Sequence, residues 1–166
     1  MIVIFSHGKE SGPSGSKIKA LSLIAEKHGF SVDSIDYSDI SSPDHRVDHL
    51  LKIIKDINED IVLVGSSMGG YVSLVTSETV KVKAMFLLAP ALYMDDYEKK
   101  VYHSSCQYIE VVHGWSDDII PVEHSIKFSK DANCTLHLIS GDHRLNSSIK
   151  TVSKLFENFL IKTLEP

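Results

Sequence analysis

Cysteine is scarce in this chain: 166 residues include two, Cys106 and Cys134, far apart and without a CxxC partner. That leaves no basis for a metal ribbon or a redox dithiol, and both are expected as buried free thiols. A Lys/Arg-rich block is also missing, and 17 basic against 22 acidic residues give a formal charge of −5. Phosphate-tracking surfaces depend on clustered cations that release counterions, so nucleic acid is not an expected partner. No segment holds the run of about 18 apolar residues that a membrane span needs. The apolar start Met1-Ile2-Val3-Ile4-Phe5 is too short for a signal-peptide core and has no basic flank or small-residue cleavage site. No membrane association is expected, and the cytoplasm is the expected location. With no repeat, low-complexity tract or Pro/Gly-rich linker, residues 1–166 read as one domain. At this length roughly 68–70% of the unfolded surface can be buried, so a core forms without disulfides or a structural metal.

What is present is an alternation. Short apolar runs recur at 2–5, 61–64, 84–89, 109–112 and 136–139, and suit strands buried on both faces. The segment 32–36 mixes Asp33, Ser34 and Asp36 with Val32 and Ile35, as a strand nearer an edge does. Between these lie stripes at i, i+3, i+4 spacing, such as Val47, Leu50, Leu51, Ile54 and Ile57, or Val152, Leu155, Phe156, Phe159 and Leu160. Strands joined by helix-length crossovers are not hairpin partners. The expected fold is therefore α/β, a three-layer α/β/α sandwich around a six-stranded, mainly parallel sheet. Sites in such folds form at the carboxyl ends of the strands.

Directly after the run 61–64 stands Gly65-Ser66-Ser67-Met68-Gly69-Gly70, followed by an amphipathic stretch with Tyr71, Leu74 and Val75. The pattern G-x-S-x-G between strand and helix forces its central residue into a strained turn, tolerated when Gly65 and Gly69 bring no side chains to collide. The Ser67 hydroxyl would then project at a helix N-terminus, where developing negative charge is favoured. Ser67 is the candidate nucleophile. Taken alone, such a segment is equally a plain tight turn.

A serine nucleophile needs a base, and the base an orienting acid, in the chain order Ser, Asp/Glu, His. After the run 109–112 comes His113-Gly114-Trp115-Ser116-Asp117-Asp118, and after 136–139 comes Ser140-Gly141-Asp142-His143. Both loops fall at the same sheet edge as Ser67. His143 is the candidate base and Asp117 the candidate acid, with Asp118 as runner-up and Asp142 less suited because adjacent side chains diverge. The loop after the first strand, Ser6-His7-Gly8-Lys9 with Gly12, Pro13 and Gly15, can supply backbone N–H groups. The amides of Lys9 and Met68 are the candidate oxyanion hole. The same loop fails the nucleotide patterns: neither G-x-x-x-x-G-K-[ST] nor G-x-G-x-x-G is present.

Together these residues resemble the α/β-hydrolase superfamily, and more narrowly its small, lidless bacterial esterase-like members. The resemblance spans essentially the whole chain and rests on His7-Gly8, Gly65-x-Ser67-x-Gly69, the loop from His113-Gly114 through Asp117 to Pro121, and Asp142-His143. It implies a reduced, all-parallel sheet without the family's first two strands and without a lid domain. It also implies nucleophile, acid and base at Ser67, Asp117 and His143, and oxyanion amides at Met68 and Lys9.

The expected activity is hydrolysis of a small carboxylic ester or thioester through an acyl-enzyme, with no metal or organic cofactor. Two rival readings keep the fold: a non-catalytic interaction module, or acyl transfer or lactone, amide or carbon–carbon cleavage by the same residues. Other groups carry less. Asp44, His45, Asp48 and His49 imitate a metal pair but read as a solvated helix face. His7 and His113 read as hydrogen-bonded structural residues. Leu92, Tyr93, Tyr97, Tyr102 and Trp115 are candidates to line an acyl pocket or simply to pack.

Overall fold

The computed structural model describes residues 1–165. Six strands and five helices follow one another, alternating except between β4 and β5, where the crossover 89–108 holds no helix: β1 (Ile2–Ser6), α1 (Ser16–Lys27), β2 (Ser31–Ile35), α2 (Pro43–Ile54), β3 (Ile61–Ser66), α3 (Met68–Thr76), β4 (Ala84–Leu88), β5 (Ile109–Gly114), α4 (Val122–Asp131), β6 (Thr135–Ile139) and α5 (Ile149–Leu164). A single 3₁₀ turn, Asn146–Ser148, precedes α5. Every strand pair is parallel, in the order β2-β1-β3-β4-β5-β6. This is the three-layer arrangement expected from the runs and stripes, with the reduced, all-parallel sheet that the resemblance implies.

Local signals set the boundaries. Pro43 opens α2 with its φ already suited to a helix, and the Ser42 side chain accepts from the His45 amide at 3.3 Å. Gly29 closes α1 at φ +82°, where the Gly29 and Phe30 amides return to carbonyls of the last turn.

Side chains alternate across the strands and build two cores. Ile4, Leu63, Met85, Leu87 and Val111 pack with residues of α2, α3 and α4 on one face. Val3, Phe5, Val62, Val64, Phe86 and Val112 pack with α1 and α5 on the other, where Phe156 lies against Phe5 and Phe86 at centroid distances of 6.3 and 5.2 Å.

Three expectations need correction. β6 is not buried on both faces: it is an outer strand with β5 as its one neighbour, so Thr135 is exposed and Leu136 to Ile139 are half-buried. Helix α3 is not amphipathic, because Met68 to Leu74 are all buried between the sheet and α2. Both cysteines are free but only half-buried.

The order of strands reverses beside β1: the chain steps outward to β2, then returns to place β3 on the opposite side. Ser6 pairs with Gly65, so the loops after β1 and β3 leave the sheet side by side at that reversal. Gly114 pairs with Ile139, and the loops after β5 and β6 emerge together at the same edge.

Candidate active site

Ser67 occupies the turn between β3 and α3 at φ 54°, ψ −119°, a conformation an L-residue adopts only when its surroundings enforce it. Those surroundings are specific. Its amide donates to Leu88 O at 2.9 Å, and its carbonyl accepts from Gly70 and Ala91, each at 2.9 Å. A Cβ on Gly65 would stand 2.2 Å from Gly69 O, and one on Gly69 would stand 1.9 Å from Ser6 O. Only hydrogen fits at either position, which is the physical content of the motif read in the sequence.

The loop after β6 delivers His143. Asp142 Oδ1 accepts from the amides of Arg144 and Leu145 at 3.1 and 3.0 Å, so this carboxylate closes its own turn and faces no imidazole. Leu145, fully buried at φ 58°, anchors the turn in the core. The neighbouring loop is knitted to it: Trp115 N donates to Ile139 O at 2.9 Å and Ser116 N to Gly141 O at 3.0 Å. A Cβ on Gly114 would meet Gly141 O at 2.3 Å.

The structure brings Ser67, His143 and Asp117 into one hydrogen-bonded chain. His143 Nε2 lies 3.0 Å from Ser67 Oγ and Nδ1 lies 2.8 Å from Asp117 Oδ2. A carboxylate only accepts, so Nδ1 carries the ring proton and Nε2 accepts from the Ser67 hydroxyl. Asp117 is shielded from solvent, and its Oδ1 accepts from the Ile119 and Ile120 amides at 2.9 and 2.8 Å. Burial opposes its ionisation, but the Ile120 amide, His143 and the Ile119 amide outweigh it and hold the carboxyl below its ordinary value. Asp118 is exposed.

The loop after β1 packs directly on Ser67, since a Cβ on Gly8 would lie 3.4 Å from Ser67 Cβ. Met68 opens α3, with its amide among the first-turn N–H groups that have no intrahelical acceptor. The Lys9 side chain is exposed. His7 is buried and structural: Nε2 accepts from Tyr37 N at 3.0 Å while Nδ1 donates to Gly8 O at 2.7 Å.

Sequence reasoning missed Arg46, and it read His113 as a hydrogen-bonded structural residue without placing it beside Asp117. His113, fully buried in β5, stands against Asp117 through Nε2 at 3.0 Å while its Nδ1 meets Ser125 Oγ at 2.7 Å. Its spacing of four residues from Asp117 was the available signal. Arg46 is 2% exposed, although it sits among charged residues of α2. The solvated face proposed there is also only partial. Asp44 accepts from Tyr71 OH at 2.5 Å, and the half-buried His49 ring lies 5.9 Å from that of Tyr37. No group of three metal-ligating side chains gathers among the described residues.

Of the candidate pocket residues, Leu92 and Tyr97 are buried, Tyr93 and Tyr102 stack edge-on at 5.2 Å, and Trp115 is 59% exposed on the loop that carries Asp117. Two hollows of about 280 and 260 Å³ lie elsewhere; neither is lined by Ser67, Asp117 or His143. No helix among the described residues is long and apolar enough to cross a membrane.

Comparison with known proteins agrees with this fold. The model of a family described as uncharacterised protein family UPF0227 matches residues 2–125. A protein of Xanthomonas campestris pv. campestris assigned to the alpha/beta hydrolase superfamily is 28% identical, with a TM-score of 0.90 over 97% of this chain and 98% of that one. Est1E from Butyrivibrio proteoclasticus is 20% identical at a TM-score of 0.83, covering 98% of this chain and 88% of that one. The lidless serine hydrolase XC6422 from Xanthomonas campestris is 14% identical at a TM-score of 0.73, covering 99% and 83%. The last two share the fold. No curated protein matches the chain. By its sequence the chain belongs to UPF0227, and by its fold to the alpha/beta hydrolase superfamily.

Proposed function

We propose that the chain is a serine hydrolase that cleaves a small carboxylic ester or thioester through an acyl-enzyme intermediate. The observation that carries this reading is the chain of contacts at 3.0 and 2.8 Å from Ser67 Oγ through His143 to Asp117 Oδ2. In this mechanism His143 Nε2 removes the hydroxyl proton as Ser67 Oγ attacks the carbonyl carbon. The imidazolium so formed is stabilised by Asp117 and returns its proton to the departing alcohol or thiol. Water, deprotonated in turn by His143, then attacks the acyl carbon; the bond to Ser67 Oγ breaks, His143 returns the proton to that oxygen, and the carboxylic acid leaves. The amides of Met68 and Lys9 receive the oxyanion in both steps. Removing one such donor typically costs about 10²–10³ in turnover.

The test is labelling with a fluorophosphonate probe, followed by a panel of esters and thioesters of increasing acyl length. Wild type should take one label and Ser67→Ala none. Labelling that survives in Ser67→Ala would remove the assignment of the nucleophile. A folded wild type that takes no label and hydrolyses no member of the panel would favour a non-catalytic interaction module.

A further inference from the structure

Arg46 is buried without a carboxylate among its hydrogen-bond partners. Its Nε donates to Ile40 O at 2.6 Å, Nη1 to His7 O at 3.2 Å and Gly8 O at 3.3 Å, and Nη2 to Tyr37 O at 3.3 Å. The face of the Tyr37 ring, 5.2 Å from the guanidinium carbon, is its remaining support. A cation taken out of water and balanced only by main-chain dipoles is a costly way to stabilise a loop, and an apolar side chain of similar volume is often as good or better. The arrangement calls for another explanation, and the atoms it grips supply one.

The Gly8 carbonyl and the Lys9 N–H belong to the same peptide unit. No peptide bond among the described residues is cis, so the two groups point in opposite directions from one plane. The Gly8 oxygen is held from the protein side by His7 Nδ1 at 2.7 Å and by Arg46 Nη1 at 3.3 Å. Fixing that oxygen fixes the plane and turns the Lys9 N–H away from the buried cation. Gly8 itself stands against Ser67, as the 3.4 Å approach of its virtual Cβ shows. A positive charge on the carbonyl also polarises the amide, which makes its N–H a stronger donor.

We propose that Arg46 is a positioning residue that orients and polarises the Gly8–Lys9 peptide, so that the Lys9 amide meets the oxyanion formed at Ser67. The proposal rests on the hydrolase reading above. It assigns to a helix on the far side of the loop a part in stabilising the transition state without touching substrate.

The experiment compares wild type with Arg46→Met, Arg46→Gln and Arg46→Lys, using p-nitrophenyl acetate as substrate and phenylboronic acid as an inhibitor that forms a tetrahedral anion on the serine. Arg46→Met is expected to lower kcat by roughly 10- to 100-fold with KM within about twofold of wild type. Arg46→Lys keeps charge and donors without the planar fork and should recover part of that loss. Across the three variants, boronic acid affinity should weaken in proportion to kcat/KM, a correlation that general loosening of the fold would not produce. Because Arg46→Lys and Arg46→Gln retain polar donors, the comparison survives if Arg46→Met does not fold. Variants that keep wild-type kcat, or that lose kcat with boronic acid affinity unchanged, would overturn the role of Arg46 while leaving the nucleophile intact. A wild type that neither hydrolyses the ester nor takes a fluorophosphonate label would overturn the hydrolase reading and this proposal with it.

Discussion

His113 Nε2 stands 3.0 Å from Asp117 Oδ2, the same oxygen that accepts from His143 Nδ1 at 2.8 Å. Asp117 thus lies between two imidazoles and two backbone amides. Its orientation is set by β5 and by its own loop as well as by His143 from the loop after β6.

Replacing His113 by Phe removes that support while filling the space. Loss of a polar contact to a buried carboxylate corresponds to about tenfold or more, so kcat/KM should fall by at least that much with the Ser67 label retained. Burial lowers the His113 pKa from its ordinary 6.5, opposed by the Asp117 charge and the Ile120 carbonyl and assisted by His143. Below about 6.5 the unfolded chain therefore takes up a proton that the folded chain resists, and stability is lost as pH falls. Thermal melts from pH 7 to 5 should show a smaller decline for His113→Phe than for wild type. Parallel declines would count against a neutral, buried His113.

Asp117→Asn preserves shape but no longer stabilises the imidazolium, and the amide can bind the wrong ring tautomer. Turnover should drop on the order of 10⁴-fold, by analogy with serine proteases. Asp118→Asn, on the exposed neighbour, should stay within about twofold of wild type. Comparable losses in the two variants would reverse the assignment of the acid.

Gly65→Ala and Gly69→Ala each drive a methyl group to within 2.2 and 1.9 Å of a backbone oxygen. Backbone on both sides leaves no room to yield, and the cost should exceed about 3 kcal/mol, read in denaturant melts. Gly12→Ala meets nothing within 4 Å and is the control, with a change expected within about 0.5 kcal/mol.

Lys17, half-buried in the first turn of α1, donates from Nζ to Arg144 O at 2.7 Å and so reaches the residue after His143. Burial pushes its ammonium down to about 8 against the opposing pull of Asp142 and Asp117. Since the folded value lies below the ordinary 10.5, the penalty is present below about 8 and is relieved as pH rises towards 10.5. The thermal midpoint of wild type should therefore gain on that of Lys17→Met between pH 7 and 10. A constant difference would contradict the depressed value.

Most of this architecture was legible before any coordinates. Apolar runs of strand length separated by i, i+3, i+4 stripes require a parallel sheet covered on both faces, because crossovers of that length rule out hairpins. Glycines two residues either side of Ser67 announce a turn where backbones nearly touch, and the coordinates express this as approaches of 2.2 and 1.9 Å. Chain order and strand ends were enough to nominate Ser67, Asp117 and His143.

What no linear pattern contains is neighbourhood. β6 reads as a core strand by composition, yet its place at the end of the strand order leaves it half-buried. Arg46 drew no reading from the sequence, yet α2 packs against the loop after β1, and the guanidinium finds four carbonyls there. His113 reads as a strand-end histidine until β5 and its loop fold its ring onto Asp117. Periodicity and steric demand are local properties and can be read along the chain. Desolvation and hydrogen-bond partnership depend on which elements become neighbours, and tertiary packing alone decides that.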